Sequence, residues 1–358
     1  MKKVRIGVVG LGFFAQNQLE AWRVIEKAEI AAVCDRDPAK VEAARQRYGV
    51  ERGYTDVADM LADGGIDAVD VATTSPSHRA IVEQVAQAGL AVICQKPMAE
   101  TLNDARAMVD FCRRAGVSFT VHENFRFQRP MREVAGLLRE GAIGEPFFAR
   151  ISFRTPYDVF ANQPYLATEN RFIILDLGIH LLDLARCFMG DARDVSCWTK
   201  RVNPKIRGED VATMVLDHGA GRTSIVDCSY ATHQVPDPWP QTLVTIEGTG
   251  GTIALEADYR LHLTQGDKII TRHVPPPVWP WSKLPLDIIQ DSVVALQRHW
   301  VESYLAGHPA ETSGEDNLKV VELVHVAYAD AERPRTNEET DQAKGRSDLV
   351  ATKRQISL

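Results

Sequence analysis

The sequence predicts an α/β protein in which a doubly wound parallel sheet is followed by an α+β domain with a large, open, mainly antiparallel sheet. The chain of 358 residues exceeds the size at which one hydrophobic core usually splits into two domains. In its first third, short apolar runs alternate with amphipathic helical stretches, which is typical of parallel strands joined by helices. After Phe125, strand-like segments follow one another with turns between them, which favours antiparallel pairing.

The first domain is predicted to occupy residues 1–123. Its strands are apolar at consecutive positions, as a sheet covered on both faces requires. The connecting segments show the spacing of apolar residues that helices need. Strands are predicted at residues 4–9, 30–34, 68–72, 90–94 and 117–121, and helices at residues 20–27, 38–48, 78–88 and 103–115.

The second domain is predicted over residues 124–333, followed by a polar tail at residues 334–358 that is rich in charge and poor in aromatic residues.

Residues 274–281 (Val-Pro-Pro-Pro-Val-Trp-Pro-Trp) are predicted to form a loop, because each proline removes a backbone donor. We expect this loop to pack locally; a partner contact or a substrate lid is the alternative. Strands are predicted at residues 147–155, 195–202, 211–217, 223–230 and 243–247, and helices at residues 176–189, 288–306 and 314–331.

Charge and cysteine content limit the classes of partner. With 41 basic and 48 acidic side chains, the formal net charge is −7, which gives no general attraction to nucleic acid or anionic lipid. No apolar run approaches the roughly 20 residues of a membrane span, and no targeting segment is visible. Six cysteines lie far apart without a Cys-x-x-Cys pair, as buried reduced thiols do. We therefore expect a soluble cytoplasmic protein without nucleic-acid or membrane partners.

A glycine-rich turn lies between the first predicted strand and the first helix. Residues 10–15 (Gly-Leu-Gly-Phe-Phe-Ala) match the dinucleotide-binding pattern in the context that gives it meaning. Gly10 permits a tight turn, Gly12 lets the backbone approach a pyrophosphate, and the N–H groups of the helix terminus remain free to bind it. The alternative is a plain glycine-rich turn. The predicted cofactor contacts in this loop are Gly10, Gly12, Phe13 and Phe14.

Asp35 ends the second apolar run, 23 residues after Gly12, where a carboxylate accepts hydrogen bonds from the adenosine ribose. A carboxylate there repels a 2′-phosphate, so NAD is preferred over NADP, although Arg36 beside it could soften that preference. A turn residue before Pro38 is the alternative role of Asp35. A second cofactor-binding loop is expected after the third strand, at the carboxyl edge of the sheet. Its predicted contacts are Thr73, Ser75 and His78, of which His78 also suits a structural role.

With these motifs the chain resembles the Gfo/Idh/MocA oxidoreductases, a family named for glucose-fructose oxidoreductase, inositol dehydrogenase and a rhizopine-catabolism protein. The resemblance covers roughly residues 3–333. It implies a Rossmann domain, a C-terminal domain whose open sheet supports homodimers or homotetramers, and oxidation or reduction of sugars and cyclitols. The matching segments are residues 10–15, 74–78 (Thr-Ser-Pro-Ser-His), 95–97 (Gln-Lys-Pro), 124–127 (Asn-Phe-Arg-Phe), 141–144 (Gly-Ala-Ile-Gly), 176–180 (Asp-Leu-Gly-Ile-His) and 312–316 (Thr-Ser-Gly-Glu-Asp).

Lys96 follows the apolar run that ends at Cys94, which places its ammonium at the carboxyl edge of the sheet beside the expected nicotinamide. The resemblance implies that it is the active-site lysine, which hydrogen-bonds the reacting oxygen and stabilises charge there. A solvated surface lysine is the alternative. Gln95 and Lys96 are also predicted cofactor contacts, and Gln95 stands where many family members have glutamate. Loss of that carboxylate makes the ammonium form of Lys96 less favoured than in relatives with the acid.

Asp176 and His180 are four residues apart, and Asp183 follows three residues later, so a helix from Asp176 would put all three on one face. His180 has the pKa range to accept and return a proton, while Asp176 orients the imidazole or contacts substrate hydroxyls. A helix-end carboxylate with a core histidine is the alternative, and a metal site is disfavoured because no second histidine is near. The predicted catalytic residues are Lys96, Asp176 and His180.

Substrate contacts are expected where the chain crosses between the domains, at His122, Glu123, Asn124 and Arg126. An arginine could clamp a substrate carboxylate, which raises the possibility of a sugar acid; pairing with a structural acid or exposure to water is the alternative. The predicted substrate contacts are Lys96, His122, Asn124, Arg126, Arg154, Arg171, Asp176 and His180.

The predicted function is NAD-dependent oxidation of a secondary hydroxyl of a sugar, cyclitol or sugar acid, without a metal. Hydride passes to the nicotinamide while Lys96 and His180 handle the proton. One alternative is an oxidoisomerase-type enzyme that recycles a tightly bound NAD on a sugar acid. Another is an NAD-binding sensor or scaffold without turnover, because a fold alone never establishes activity.

Overall fold

The computed structural model describes residues 3–334 and confirms the predicted pair of sheets. Its first sheet has six strands, and every neighbouring pair runs parallel. The strands are β1 (Val4–Val9), β2 (Ala28–Cys34), β3 (Gly53–Tyr54), β4 (Ala68–Val71), β5 (Ala91–Gln95) and β6 (Phe119–His122). All but the first residue of the predicted tail at residues 334–358 lies outside the described residues.

The strand order β3-β2-β1-β4-β5-β6 changes direction between β1 and β4. The chain runs outward from β1 to β3 and then returns to the other side of β1, so the loops after β1 and β4 diverge. Open sheets of this kind bind ligands in the crevice between such loops. The helices of this part are α1 (Ala15–Arg23), α2 (Pro38–Tyr48), α3 (Val57–Asp63), α4 (His78–Gln87) and α5 (Leu102–Ala115).

The helix predicted at residues 20–27 lies too far toward the C-terminus, because α1 begins at Ala15 and ends at Arg23. Ile25 is buried although it belongs to the turn before β2, so its apolar side chain extended the helical pattern past the true end. Neither β3 nor α3 was predicted, since a strand of two residues and a helix of seven carry little periodicity.

Asp70 is a fully buried carboxyl group in β4 that faces α1. Gln18 Nε2 donates to one oxygen at 2.9 Å, and Trp22 Nε1 donates to the other at 2.8 Å. Burial nevertheless raises the pKa of Asp70 from 3.8 to about 7, because desolvation of the charged form outweighs the Trp22 hydrogen bond. Below about pH 7, Asp70 is therefore mainly protonated in the folded protein.

We expect Asp70→Asn to unfold at a higher temperature than the wild type near pH 8. A pKa raised on folding stabilises the native state at low pH, and this contribution is lost as pH rises from about 4 to about 7. The gain in free energy of unfolding is at most about 4 kcal/mol. The amide is accommodated because Gln18 Oε1, which has no partner among residues 3–334, can turn toward the new N–H group. Thermal melts from about pH 5 to about pH 8 test this, and parallel pH curves for both proteins would contradict it.

The second sheet has eight strands in the order β14-β13-β12-β11-β7-β10-β9-β8. Only β7 and β10 pair in parallel within it, and the other neighbours are antiparallel. One face is buried against helices and the other is more exposed, as the alternating burial along its strands shows. These strands are β7 (Pro146–Arg154), β8 (Asp194–Lys200), β9 (Val211–Gly219), β10 (Arg222–Ser229), β11 (Leu243–Gly248), β12 (Gly251–Glu256), β13 (Arg260–Gln265) and β14 (Lys268–His273).

Helices from the C-terminal half pack back on the first sheet, since α8 contacts α1 and α9 contacts α5. Trp300 of α8 is buried in the core beneath β1 and stacks edge-on against Trp22. Among residues 3–334, no helix is both long and apolar enough to cross a membrane. The helices of this half are α6 (Arg129–Arg139), α7 (Ile179–Met189), α8 (Asp287–Ala306) and α9 (Gly314–Ala331).

The proline-rich loop at residues 274–281 packs locally, as predicted. Trp279 and Trp281 contact the cluster formed by Ala21, Val293 and Val294, which joins α1 to α8. Trp279 Nε1 also donates to Asp291 of α8 at 3.0 Å. All six cysteines are free thiols and five are buried, which confirms the prediction made from their spacing.

Candidate active site

The glycine loop after β1 fits a dinucleotide. Gly10 has φ +91°, and a Cβ there would lie 2.8 Å from the backbone of Ala72 and Thr73, so only glycine suits this turn. Among residues 3–334, and leaving out its chain neighbours, a Cβ on Gly12 would meet nothing within 4 Å, which leaves open space in front of the loop. The N-cap of α1 is Phe14, whose side chain caps no backbone N–H group, and the first turn of α1 carries no acidic residue. The backbone N–H groups of the first turn of α1 can therefore bind a pyrophosphate.

Asp35 lies at the end of β2 beside this loop. One carboxylate oxygen accepts from the Leu11 N–H at 2.8 Å, and the other accepts from the Asp37 N–H at 3.0 Å. The two bonds fix the carboxylate next to the glycine loop, while each oxygen keeps a second lone pair for a ribose hydroxyl. The Arg36 side chain is exposed.

The loops after β4 and β5 are joined by His78, whose ring is buried. Its Nε2 lies 3.0 Å from the Thr73 carbonyl, and its Nδ1 lies 3.1 Å from the Pro97 carbonyl. Both ring nitrogens thus face the protein backbone, which suits the structural role and leaves neither for the predicted cofactor contact. Ser75 is close to the same loop end, and its Oγ donates to Glu100 at 3.0 Å.

Lys96, at the end of β5, reaches across to the C-terminal half. Its Nζ donates to the Asp176 carbonyl at 2.7 Å and lies 3.5 Å from the Asp176 carboxylate. The other carboxylate oxygen of Asp176 accepts from the Tyr230 hydroxyl at 3.1 Å. Gln95 supports this arrangement, since its Oε1 accepts from the Lys96 N–H at 2.7 Å. The structure therefore brings Lys96 and Asp176 together, as the sequence analysis expected.

The helix predicted from Asp176 begins differently. Residues Ile174–Gly178 form one turn of π-helix, and α7 starts only at Ile179. A π turn changes the angular spacing of side chains and is common at functional sites. Asp176, His180 and Asp183 lie close enough to interact electrostatically, but each has a different hydrogen-bond partner. The expectation that Asp176 orients the imidazole of His180 was wrong, because that carboxylate binds Lys96 and Tyr230.

The imidazole of His180 is held by residues that follow β6. Its Nδ1 contacts Glu123 Oε1, and its ring stacks on Phe125 with centroids 3.9 Å apart and planes 4° apart. Burial raises the pKa of Glu123 to about 7, even though Lys96 acts in the opposite direction. Burial, followed by the charge of Lys96, lowers the pKa of His180 well below its usual range. His180 is therefore neutral near neutral pH and able to accept a proton.

Arg126 was predicted to face the cleft between the domains. Its side chain is instead buried in an ion-pair network. Its Nε donates to Asp183 at 2.8 Å, and its Nη2 donates to both Asp183 and Asp316. Arg171 lies elsewhere, paired with Glu332 at 2.7 Å. Both guanidinium groups thus take the structural role that the sequence analysis left open.

The remaining predicted substrate contacts are spread around the centre. Arg154 Nη1 donates to Asp227 at 3.3 Å, and Asn124 Nδ2 donates to Ser292 at 2.6 Å. His122 is buried beside Phe14, with ring centroids 6.3 Å apart, and neither of its ring nitrogens has a partner among residues 3–334. Burial lowers the pKa of His122 to about 4. Sequence analysis missed Tyr230, which has no motif around it, and the contact between Glu123 and His180.

Comparison with known families matches both halves of the chain. Residues 4–123 match the Gfo/Idh/MocA group described as "Oxidoreductase family, NAD-binding Rossmann fold". Residues 131–254 match the GFO/IDH/MocA C-terminal domain. The two matches fall on the six-stranded sheet and on the first part of the eight-stranded sheet, respectively.

Individual relatives agree with this assignment. A D-apiose dehydrogenase from Paraburkholderia graminis is 52% identical over 94% of this chain and 90% of its own length. A second D-apiose dehydrogenase, from Rhizobium rhizogenes, is 50% identical over 94% of this chain and 97% of its own length. The crystal structure of an oxidoreductase from Agrobacterium radiobacter, in complex with NAD+, L-tartaric acid and magnesium, superimposes with a TM-score of 0.92 at 50% identity, covering 93% of this chain and 98% of that one.

The fold, the glycine loop and these relatives lead to one assignment. The chain belongs to the Gfo/Idh/MocA family, with its NAD-binding Rossmann fold, and is an oxidoreductase acting on CH–OH groups.

Proposed function

We propose that this protein is an NAD-dependent dehydrogenase of a small neutral sugar, with D-apiose as the first substrate to test. The observation that carries the proposal is the meeting of Lys96, Asp176 and Tyr230 beside His180, at the carboxyl edge of the sheet that bears the glycine loop. The two relatives of about half-identical sequence named D-apiose dehydrogenase support the choice of sugar.

The proposed chemistry divides between the cofactor and the protein. NAD, when bound, accepts hydride from the carbon that bears the hydroxyl. Lys96 donates a hydrogen bond to the oxygen on that carbon and stabilises negative charge as it develops. The Asp176 carbonyl holds the Lys96 ammonium in place, and Tyr230 fixes the Asp176 carboxylate. Neutral His180 accepts the hydroxyl proton.

A neutral sugar is favoured over a sugar acid by the arginines. Arg126, Arg154 and Arg171 were the predicted carboxylate clamps, and each is paired with an acidic side chain of the protein. The protein's own carboxylates already neutralise these guanidinium groups, which weakens their attraction to a substrate carboxylate. A sugar-acid substrate therefore loses the feature that suggested it.

The test is NADH formation, followed by absorbance, with D-apiose, other aldoses, myo-inositol and aldonates. The proposal expects turnover with a neutral sugar and release of NADH into solution. Binding of NAD without turnover on any of these compounds would instead favour the sensor or scaffold alternative. NADH that forms but stays bound would favour an enzyme that recycles its cofactor.

Preference for NAD over NADP is proposed to depend on Asp35. Its carboxylate is fixed beside the glycine loop and repels a 2′-phosphate. Asp35→Asn keeps an oxygen for the Leu11 N–H but removes the charge. We expect this variant to lower the ratio of kcat/KM for NAD to that for NADP by about tenfold. Arg36→Ala serves as the neighbouring control, and an unchanged ratio in Asp35→Asn would contradict the assignment.

Assembly and location remain predictions. A homodimer or homotetramer through the outer face of the eight-stranded sheet is supported by Trp198, which is 47% exposed there, and by Val215, which is 37% exposed. Exposed apolar side chains grouped on one sheet face are typical of subunit contacts. Cytoplasmic location is supported by the free thiols.

A further inference from the structure

We propose that Glu123 is a positioning residue for His180, which it holds with the proton on Nδ1 so that Nε2 is left to accept the hydroxyl proton of the substrate. The proposal rests on the proposed function and adds a residue to its proton-transfer machinery. The structure thereby assigns to Glu123 the orienting task that the sequence analysis gave to Asp176.

The geometry behind this assignment comes from Glu123 and Phe125, which follow β6 and both contact His180. Glu123 Oε1 contacts Nδ1 of His180 and also accepts from the Phe125 N–H at 3.3 Å. The Phe125 ring covers one face of the imidazole, with centroids 3.9 Å apart. A carboxylate at the ring edge and a phenyl group on the ring face together fix both the plane and the rotation of the imidazole. Only Nε2 then remains for exchange of a proton with a ligand.

Burial strengthens the interaction between the Glu123 carboxylate and the His180 imidazole. Glu123 has no exposed surface and His180 is 4% exposed, so their interaction is weakly screened. Within residues 3–334, Glu123 is the sole side-chain hydrogen-bond partner of His180. A carboxylate in this position favours the Nδ1–H tautomer and stabilises the imidazolium that forms when Nε2 takes a proton.

The proton and electron balance is simple. The C–H bond of the substrate breaks, and its electron pair leaves as hydride to the nicotinamide of NAD. The O–H bond breaks, its proton passes to Nε2 of His180, and its electron pair forms the second bond of the carbonyl. Imidazolium then pairs with the Glu123 carboxylate until the proton leaves to solvent.

The protonation state of Glu123 decides whether Nε2 of His180 can accept the hydroxyl proton of the substrate. When Glu123 is protonated it donates to Nδ1, so the single ring proton of neutral His180 stays on Nε2 and blocks transfer. Loss of the Glu123 proton, with a pKa of about 7, restores Nδ1–H and frees Nε2. Oxidation should therefore rise with pH through this region.

Other charged and titratable groups face the pair from each surrounding element. Lys96 at the end of β5 favours ionised Glu123 and disfavours protonated His180. Asp176 in the π turn and Asp183 in α7 favour protonated His180. Arg126, after β6, favours ionised Glu123, and His122 in β6 lies close enough to interact electrostatically with His180. These contributions act in opposite directions, and the proposal assigns the pH profile to the ionisation of Glu123.

The kinetic test uses Glu123→Gln, which keeps an oxygen for Nδ1 but cannot ionise. We expect kcat for sugar oxidation to fall by about 10²-fold with KM changed less than about threefold, since the side chain does not touch the substrate. The rise of kcat with pH near 7 should disappear. Glu322→Gln, an exposed glutamate on α9, is the matched control and should leave rate and profile unchanged.

The structural test needs no activity. Nitrogen NMR of protein labelled at histidine nitrogen reports the His180 tautomer, with His180→Asn used to assign its signals. At about pH 8 we expect Nδ1–H in the wild type and a mixed or Nε2–H form in Glu123→Leu. An unchanged tautomer in Glu123→Leu, or a pH profile in Glu123→Gln that matches the wild type, would overturn the proposal. If no sugar is oxidised, the tautomer measurement still decides the role of Glu123, while the proposed function fails separately.

Discussion

Replacing Lys96 with methionine is expected to lower kcat for sugar oxidation by about 10³-fold while NAD binding changes little. The Lys96 ammonium lies 2.7 Å from the Asp176 carbonyl, between the end of β5 and the π turn before α7. Methionine keeps an unbranched side chain, one atom shorter than that of lysine, and removes both the charge and the donor. Stopped-flow measurement of NADH formation separates the hydride-transfer step from product release.

The matched control is Lys319→Met on α9, where the lysine pairs with Asp191 at 2.6 Å and is half exposed. This variant should keep the wild-type rate. Lys319 pairs with Asp191 and not with a residue of the proposed site, and an exposed ion pair contributes little to stability. A Lys96→Met enzyme within tenfold of the wild type would contradict the assigned role. Melting temperatures of both variants exclude loss of the fold as the cause of a lower rate.

Gly12→Val is expected to raise the Kd for NAD by at least about 100-fold without destabilising the protein. Apart from its chain neighbours, no atom of residues 3–334 lies within 4 Å of the position that a Cβ on Gly12 would take, so the protein leaves room for the added side chain. It enters the space through which a pyrophosphate approaches the N-terminus of α1. Calorimetric titration with NAD measures the Kd, and a thermal melt measures the stability.

Gly10→Ala is the informative comparison. A Cβ on Gly10 would lie 2.8 Å from the backbone of Thr73, and φ is +91°, so this substitution should lower the melting temperature itself. The two glycines thus separate a ligand contact from a backbone requirement. A Gly12→Val protein that binds NAD normally would show that the cofactor does not approach this loop.

Most of the fold could be predicted because its signals are local. Consecutive apolar positions marked β1, β2 and β4, and the change to successive strands marked the start of the second sheet. The glycine loop and the Gln-Lys-Pro segment lie next to strand ends, so their place at the carboxyl edge followed from the topology. The pattern of apolar residues placed the first helix too far toward the C-terminus, because Ile25 is buried although it lies after the end of α1.

The pairing of side chains could not be predicted in the same way. Arg126 binds Asp316 of α9, and Arg171 binds Glu332 directly after α9; both partners are more than 150 residues away. The π turn before His180 has no local sequence signature. The Asp176 carboxylate contacts Lys96 and Tyr230, and Glu123 contacts the imidazole instead. Long-range pairing and departures from α-helical spacing therefore account for the differences at the site.

A crystal structure of the Lys96→Met enzyme with NAD and a bound sugar tests the central claim most directly. The account predicts one sugar carbon within about 4 Å of the nicotinamide carbon that accepts hydride. The oxygen on that carbon should lie within about 3.2 Å of His180 Nε2 and next to the residue 96 side chain. A sugar held against another face of the molecule, or a nicotinamide directed away from His180, would contradict it.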